Sequence, residues 1–403
     1  MYDAIVVGAR VAGAPTAMLL ARKGYRVLLV DKASFPSDTM STHYIHQPGI
    51  AALKRWDVLD DVLATGVPVV SNGKFHFGPL VLDGWGPASD GVAEAYCPRR
   101  TVLDKILVDA AVAAGVELRE NFSVDEILME GGSVTGLRGH ERGGAPVTET
   151  AKVVVGADGL HSRVAAAVDA PRYNEKPALA CYYYSYFAGM PEQHLEAGAG
   201  DGCFFVSFPT NDNLVCVGVG LKNDQFHAYR ADIDGTFMRV LDAISPSMAE
   251  RVRRAKRVER WTGTADLPNF FRKPYGPGWA LVGDAGYHKD PITGYGITDA
   301  FRDAETLAAA LDAGFSGREP LEQALAGYEQ ARNAFAFPLY EFICQMASME
   351  LPPPEMQALF AALAGNREAT NRFYGVLDGT VSVPEFFAPE NIGAIMAAAG
   401  MAA

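Results

Sequence analysis

The chain opens with an uninterrupted apolar run, Ala4–Val7, as a strand buried on both faces requires. From Gly13 to Lys23 the spacing becomes helical, with Ala14, Ala17, Met18 and Ala21 recurring on one face, and Gly24 stops it. Arg26–Val30 returns to a strand, with Asp31 at its end. Strand, glycine turn, helix and strand in this order predict a βαβ unit and a parallel sheet.

Further along, three-to-four spacing predicts a helix near Gly49–Trp56. The stretch from Pro68 to Pro98 is rich in Gly, Pro and aromatics and reads as strands and loops. Thr101–Ala114 is helical and stopped by Gly115, while Val116–Leu118, Glu126–Met129 and Ser133–Arg138 alternate like a small meander. Lys152–Val155 is another buried strand, leading into Gly156-Ala157-Asp158-Gly159. From about Pro171 to Asn269 the chain is strand-rich and aromatic, interrupted by a helix near Gly235–Ala243. Trp279–Val282 is a buried strand ending in Gly283-Asp284, and nearly everything after Gly296 is helical. The expected fold is α/β, with a discontinuous Rossmann-like nucleotide-binding domain over 1–70, 98–170 and 270–345. A sheet-rich substrate domain is expected over 71–97 and 171–269, and a helical C-terminal segment over 346–403.

Composition narrows the function. The chain of 403 residues has a formal net charge of −13, which disfavours a nucleic-acid partner. Its densest basic run, Arg251, Arg253, Arg254, Lys256, Arg257 and Arg260, is flanked by Glu250 and Glu259 and reads as a solvated helix end. The five cysteines form no C-x-x-C pair, so no metal is expected. Their odd count and wide spacing, with no signal peptide before the first strand, point to a cytoplasmic setting. No apolar run reaches the roughly 18–20 residues that span a bilayer. The Ala-rich tail from Asn391 to Ala403 is expected to pack against the body or a second subunit, and the oligomeric state stays open.

The chemistry lies in three glycine-bearing segments. Gly8-Ala9-Arg10-Val11-Ala12-Gly13 approximates the G-x-G-x-x-G dinucleotide fingerprint, with Arg10 in place of the middle glycine. Gly8 suits a tight turn, Gly13 close helix packing, and Asp31 the hydroxyls of a ribose. The helix N-terminus offers free N–H groups to a pyrophosphate. The second segment is Gly156 to Arg163, with Asp158-Gly159, and the third runs from Gly283-Asp284 through Pro291-Ile292-Thr293-Gly294-Tyr295-Gly296-Ile297.

In this order the segments resemble the FAD-dependent aromatic-hydroxylase superfamily (group A flavoprotein monooxygenases), with relatives among geranylgeranyl reductases and flavin halogenases. The resemblance covers roughly residues 1–345. It implies FAD held by Gly8, Val11, Ala12, Gly13 and Asp31, with Lys32, Thr42 and Arg100 also counted as cofactor-binding. It places Asp158 and Gly159 near the pyrophosphate, and Gly283 and Asp284 at the ribityl chain. Pro291, Gly294, Gly296 and Ile297 fall beside the isoalloxazine ring. It further implies a transient reductant, NADPH or NADH, and oxygen passed from a flavin C4a-hydroperoxide to a hydrophobic small molecule. Such chemistry needs a dry aromatic pocket, for which Tyr182, Tyr184, Phe204, Phe205 and Phe208 are candidates, ordinary sheet core being the alternative. His43 and His46 are candidate acids or hydrogen-bond donors, a structural hydrogen-bonded histidine being the alternative.

Other readings stay open. The P-x-T-G-x-G pattern at Pro291–Gly296 leans toward the reductase branch, and a non-redox protein that keeps FAD structurally is a third reading. A halogenase would carry W-x-W-x-x-P, yet Trp56, Trp85, Trp261 and Trp279 are never two apart.

Overall fold

The computed structural model describes residues 1–191 and 194–401. At its centre is a sheet in the order Tyr275–Gly276, Trp279–Leu281, Val147–Gly156, Tyr2–Val7, Val27–Val30, Glu117–Arg119. Every pair from Trp279–Leu281 to Glu117–Arg119 is parallel, and the Tyr275–Gly276 edge is antiparallel. Within the strand Tyr2–Val7, the run Ala4–Val7 is apolar without alternation because both its faces are covered. Val6 packs with Met18, Leu107 and Phe301 from the helices Gly13–Arg22, Arg100–Ala113 and Gly296–Phe315. Ile5 packs on the other side with Phe122 and Leu137, from the hairpin Phe122–Glu130 and Ser133–Glu141.

The expected meander is corrected at its first member. Glu117–Arg119 pairs in parallel with Val27–Val30, Leu118 opposite Leu29, and so forms the edge of the central sheet. Three alternating residues carry no information about which strand they pair with, so this partner was not readable.

A second sheet runs in the order Lys256–Arg257, Ala180–Ala188, Leu214–Lys222, Cys203–Thr210, Leu195–Gly200, Gly73–Phe77, Leu80–Gly84. Its pairings are antiparallel except between Leu195–Gly200 and Gly73–Phe77. One face holds Phe205, Val217 and Val219 against Phe237 and Val252 of the helices Ile233–Ile244 and Pro246–Arg254. The other carries Phe75 and Phe204 toward Phe373 and Tyr374 of the C-terminal helix Arg367–Asp378.

The basic run is more than a solvated helix end. Arg251 reaches back 2.5 Å to Glu196, a buried carboxylate that also has His76 Nε2 at 2.9 Å. Burial works to raise the Glu196 pKa, but the hydrogen bonds from His76 and Arg251 outweigh it and hold it down to about 2. Arg253 and Arg254 do lie at the surface, paired with Asp242 and Glu250.

The chain closes with helices Leu321–Ala347, Pro354–Ala364, Arg367–Asp378, Val383–Phe386 and Pro389–Ala398. Ile395 of the last is buried in the cluster that contains Leu359, Leu363 and Phe373, so the tail packs on its own chain, Ala402 and Ala403 lying outside the described residues. Among the described residues no helix is long and apolar enough to cross a membrane, and no cluster of His, Cys, Asp and Glu could hold a metal. The five cysteines are unpaired.

Candidate functional site

The three glycine-bearing segments leave neighbouring strands at one edge of the parallel sheet. Gly8 N donates to Val30 O at 2.8 Å, Ala157 N to Val7 O at 2.8 Å, and Val282 N to Gly156 O at 3.0 Å. Binding crevices of open α/β sheets lie at this edge, beyond the strands' carboxyl ends. The backbones approach too closely for side chains. A Cβ on Gly8, whose φ is +100°, would lie 2.4 Å from Ala157 O, and one on Gly13 only 1.8 Å from Gly8 O. A Cβ on Gly283 would lie 2.8 Å from Ala12 Cβ, so the third segment packs directly on the first.

Helix Gly13–Arg22 starts at this junction with no side-chain cap and no acidic residue in its first turn. Ala14 N donates to Arg10 O at 3.0 Å and Pro15 has no N–H, so the Gly13 N–H and the positive dipole end are what the helix offers an anion. Val11 and Ala12 lie in the loop before it. Asp31 is nearly buried and held in place by the loop: Oδ2 accepts from Ala9 N at 2.7 Å and Oδ1 from Ala33 N at 2.8 Å. Lys32 beside it is exposed.

The irregular Arg10 has a structural explanation. Its guanidinium crosses to Asp104, 2.5 Å away, and also donates to Ser37 and to Asp38 O. Arg100 donates to the same carboxylate from Nε at 2.9 Å and NH2 at 3.1 Å. One fully buried aspartate thus ties the glycine loop, the segment at residues 37–38 and the start of helix Arg100–Ala113 together.

Asp158 and Asp284 differ in surroundings. Asp158 accepts from Ser162 Oγ at 2.5 Å and Arg163 N at 2.6 Å, which ties its carboxylate to the short helix Arg163–Ala167. Gly159 follows it with φ +78°. Asp284 is exposed, and its carboxylate has no hydrogen-bond partner among the described residues. Behind it Lys289 bonds the carboxylate of Asp299, which also takes Tyr287 Oη and lies 2.7 Å from Arg302. This buried cluster clamps the strand Tyr287–His288 to the first turns of helix Gly296–Phe315 and so fixes the loop between them.

That loop forms one wall of an apolar cavity. Pro291, Ile292, Thr293 and Gly294 line it together with Thr42, Tyr44, Phe75, Trp85, Phe204, Val206 and Phe208. Gly294 turns in the left-handed region at φ +68°, and Gly296 and Ile297 begin the helix beyond. The five candidate aromatics divide. Phe204 and Phe208 line the cavity. Phe205, one residue out of step, points to the opposite face of its strand and packs under Phe237. Tyr182 Oη donates to Asp290 Oδ1 at 2.6 Å, and Tyr184 stands edge-on to Tyr186; neither lines the cavity.

The two histidines are buried and neutral. His43 donates from Nδ1 to Cys97 O at 3.0 Å and accepts at Nε2 from Tyr186 Oη at 3.1 Å; burial pulls its pKa down to about 3. His46 lines the cavity and donates from Nε2 to Thr293 O at 2.8 Å; burial pulls it down to about 4. Neither is a cationic acid near neutral pH, and His43 has no free ring nitrogen.

Sequence reasoning did not single out Gln47 or Asp378, both of which line the cavity. Asp378 ends a helix in the run Asp378-Gly379-Thr380, which reads as a helix stop. Its buried position was the only signal, and a sequence does not print it.

A family profile described as FAD binding domain matches residues 1–342. The chain is 26% identical over 344 residues to a digeranylgeranylglycerophospholipid reductase of Methanosarcina acetivorans, covering 82% of this chain and 80% of that one. It is similar in structure to the myxobacterial chondrochloren halogenase CndH, with a TM-score of 0.79, 21% identity and coverage of 99% and 96% of the two chains. It is likewise similar to PqsL, a probable FAD-dependent monooxygenase from Pseudomonas aeruginosa, with a TM-score of 0.73, 23% identity and coverage of 94% and 99%. These structural likenesses bear on the fold alone.

Proposed function

The chain belongs to the FAD binding domain family, and from that membership we propose that this FAD-dependent oxidoreductase oxygenates a hydrophobic small molecule held in the cavity. NADPH or NADH acts as the transient reductant: one oxygen atom of O2 enters the substrate and the other leaves as water. The observation that carries this reading is the apolar cavity walled by Pro291–Gly294, the loop that directly follows the Gly283-Asp284 segment. FAD when bound supplies the redox chemistry.

The residues fit that cofactor. Gly8, Val11, Ala12 and Gly13 would cradle its pyrophosphate beside an uncapped helix start, and Asp31 with Lys32 would meet the adenosine ribose. Asp284, exposed and unpartnered among the described residues, would accept hydroxyls of the ribityl chain, near Gly283, Asp158 and Gly159. Arg100 and Thr42 would flank it from the helix side and the cavity side. Pro291, Gly294, Gly296 and Ile297 would lie along the ring, where a helix N-terminus favours negative charge. Phe204, Phe208 and Trp85 exclude water from the substrate's side.

Asp284→Ala is expected to weaken FAD binding by roughly 2 kcal/mol, about 30-fold in Kd, because a charge-assisted acceptor is lost. Since Asp284 is exposed, the apoprotein's melting temperature should stay unchanged. Flavin fluorescence titration and thermal denaturation of the apoprotein read the two effects separately.

The likeness to the reductase favours a second reading, reduction of an unsaturated hydrophobic substrate. NAD(P)H oxidation followed with and without oxygen separates the two. Oxygen uptake coupled to product is expected, saturation of a carbon–carbon double bond under anaerobic conditions moves the assignment to the reductase, and turnover with neither points to a non-redox role for FAD.

A further inference from the structure

The cavity is largely apolar, but Thr42 and Lys74 line it, and Gln47, Thr293 and Asp378 form a polar patch around His46. Asp378 is buried at the end of helix Arg367–Asp378. Its Oδ1 accepts from Thr380 N at 2.9 Å and Thr380 Oγ1 at 2.6 Å, and its Oδ2 accepts from Gln47 Nε2 at 3.1 Å. Gly86 lies so near that a Cβ there would sit 1.6 Å from Asp378 Oδ2, so the facing loop leaves room for that carboxyl and nothing more. No cation pairs with it among the described residues.

The amide of Gln47 is only half used. The residue is 1% exposed, and its Oε1 is buried without a hydrogen-bond partner; Thr293 Oγ1 is in the same condition. A buried acceptor left unsatisfied is destabilising, and a ligand carrying the complementary donor recovers that loss. Both residues line the same cavity, so a ligand seated there with one polar group is placed to satisfy them.

We propose that Gln47 Oε1, with Thr293 Oγ1 of the same cavity lining, receives a hydrogen-bond donor, a hydroxyl or N–H, carried at one end of an otherwise hydrophobic ligand, and that Asp378 positions the amide so that oxygen is presented. The site rests on the reading of the cavity as the substrate's, and on no particular flavin chemistry. Specificity follows: a ligand of the same shape without the donor leaves both oxygens unpaired and is rejected.

Asp378 makes the site sensitive to pH. Burial pushes its carboxyl up to about 7, against the hydrogen bonds from Thr380 and Gln47. Above that pH the carboxylate accepts from Gln47 Nε2 and Oε1 faces the ligand. Below it the protonated carboxyl donates to the amide oxygen, the amide turns, and Nε2 is presented instead. The other titratable or charged groups facing the patch are Tyr44, His46, Lys74 and Tyr374 in the cavity wall, and Tyr295, whose Oη would lie 2.1 Å from a Cβ on Gly379. Burial raises the three tyrosines' pKa and lowers that of His46, so none of these four changes charge near pH 7. Behind the loop that carries Thr293, burial pulls Lys289 down to about 7 and pushes Asp290 up to about 6, so the Asp378→Asn variant is what assigns the titration.

The test uses the FAD-loaded protein and two probes of one shape, 2-naphthalenemethanol and 2-ethylnaphthalene, titrated by calorimetry at pH 6 and pH 8. The alcohol is expected to bind at least about 10-fold tighter at pH 8, with the preference reduced at pH 6. Gln47→Leu should abolish the preference while leaving 2-ethylnaphthalene affinity and FAD content unchanged. Asp378→Asn should remove the pH dependence. Equal affinities of the two probes, including no measurable binding of either, or a preference that survives Gln47→Leu, would overturn the assignment. A preference intact in a protein with no oxidoreductase turnover would instead refute the proposed function and leave this site standing.

Discussion

A Gly13→Ala substitution is expected to cost at least about 3 kcal/mol of stability and to abolish FAD retention. The added Cβ would sit 1.8 Å from Gly8 O and 3.0 Å from Ala157 Cβ. Neither neighbour can yield cheaply. Gly8 is hydrogen-bonded to Val30 O, and its own Cα side lies against Ala157 O, so a displaced Gly8 disturbs the first two glycine-bearing segments at once. Alanine's intrinsic helix preference over glycine, about 1 kcal/mol, works in the opposite direction and is the smaller effect. The control is Gly327→Ala within helix Leu321–Ala347, where a Cβ meets nothing within 4 Å. That variant should be stabilised by roughly 0.4–1 kcal/mol. Urea denaturation of both variants, with flavin absorbance of the purified proteins, reads the contrast. A Gly13→Ala protein as stable as the parent would show that the helix does not start against the strand as described.

Asp104→Ala is expected to destabilise the apoprotein by about 3–5 kcal/mol. Asp104 is fully buried and is the acceptor for both Arg100 and Arg10. Arg10 is 24% exposed at its side chain and can turn to water, whereas Arg100 is buried and would be left as an unpaired charge. The cost therefore comes mainly from Arg100. Adding Arg100→Met to Asp104→Ala should then recover part of the lost stability, because it removes the stranded cation. Chemical denaturation of the single and double variants decides this. A double variant no more stable than Asp104→Ala alone would place the cost in the loop contacts of Arg10 instead.

The sequence made the central βαβ unit legible because strands covered on both faces are written as apolar runs, as in Ala4–Val7 and Val153–Val155. The edge strand Glu117–Arg119 was assigned to the wrong partner because its three residues fit any pairing. The aromatics of the second sheet show the same limit more finely. Phe204 and Phe205 are adjacent, so a strand must send one to each face, and composition does not say which. Arg10 looked like a defect in the glycine fingerprint until its partner Asp104, far away in sequence, was in view. The cavity's polar patch was the least legible part. Gln47, Thr293 and Asp378 are drawn from a helix start, a turn and a helix end, and only tertiary packing joins them.

The central claim is that three segments distant in sequence form one FAD site. The most direct measurement is the flavin content of the purified chain after dialysis against excess FAD, determined by absorbance against protein concentration, for the parent and for Asp284→Ala. One FAD per parent chain is expected, with binding weakened about 30-fold in the variant. A colourless parent that takes up no FAD, or an Asp284→Ala variant that binds FAD as tightly as the parent, would contradict it.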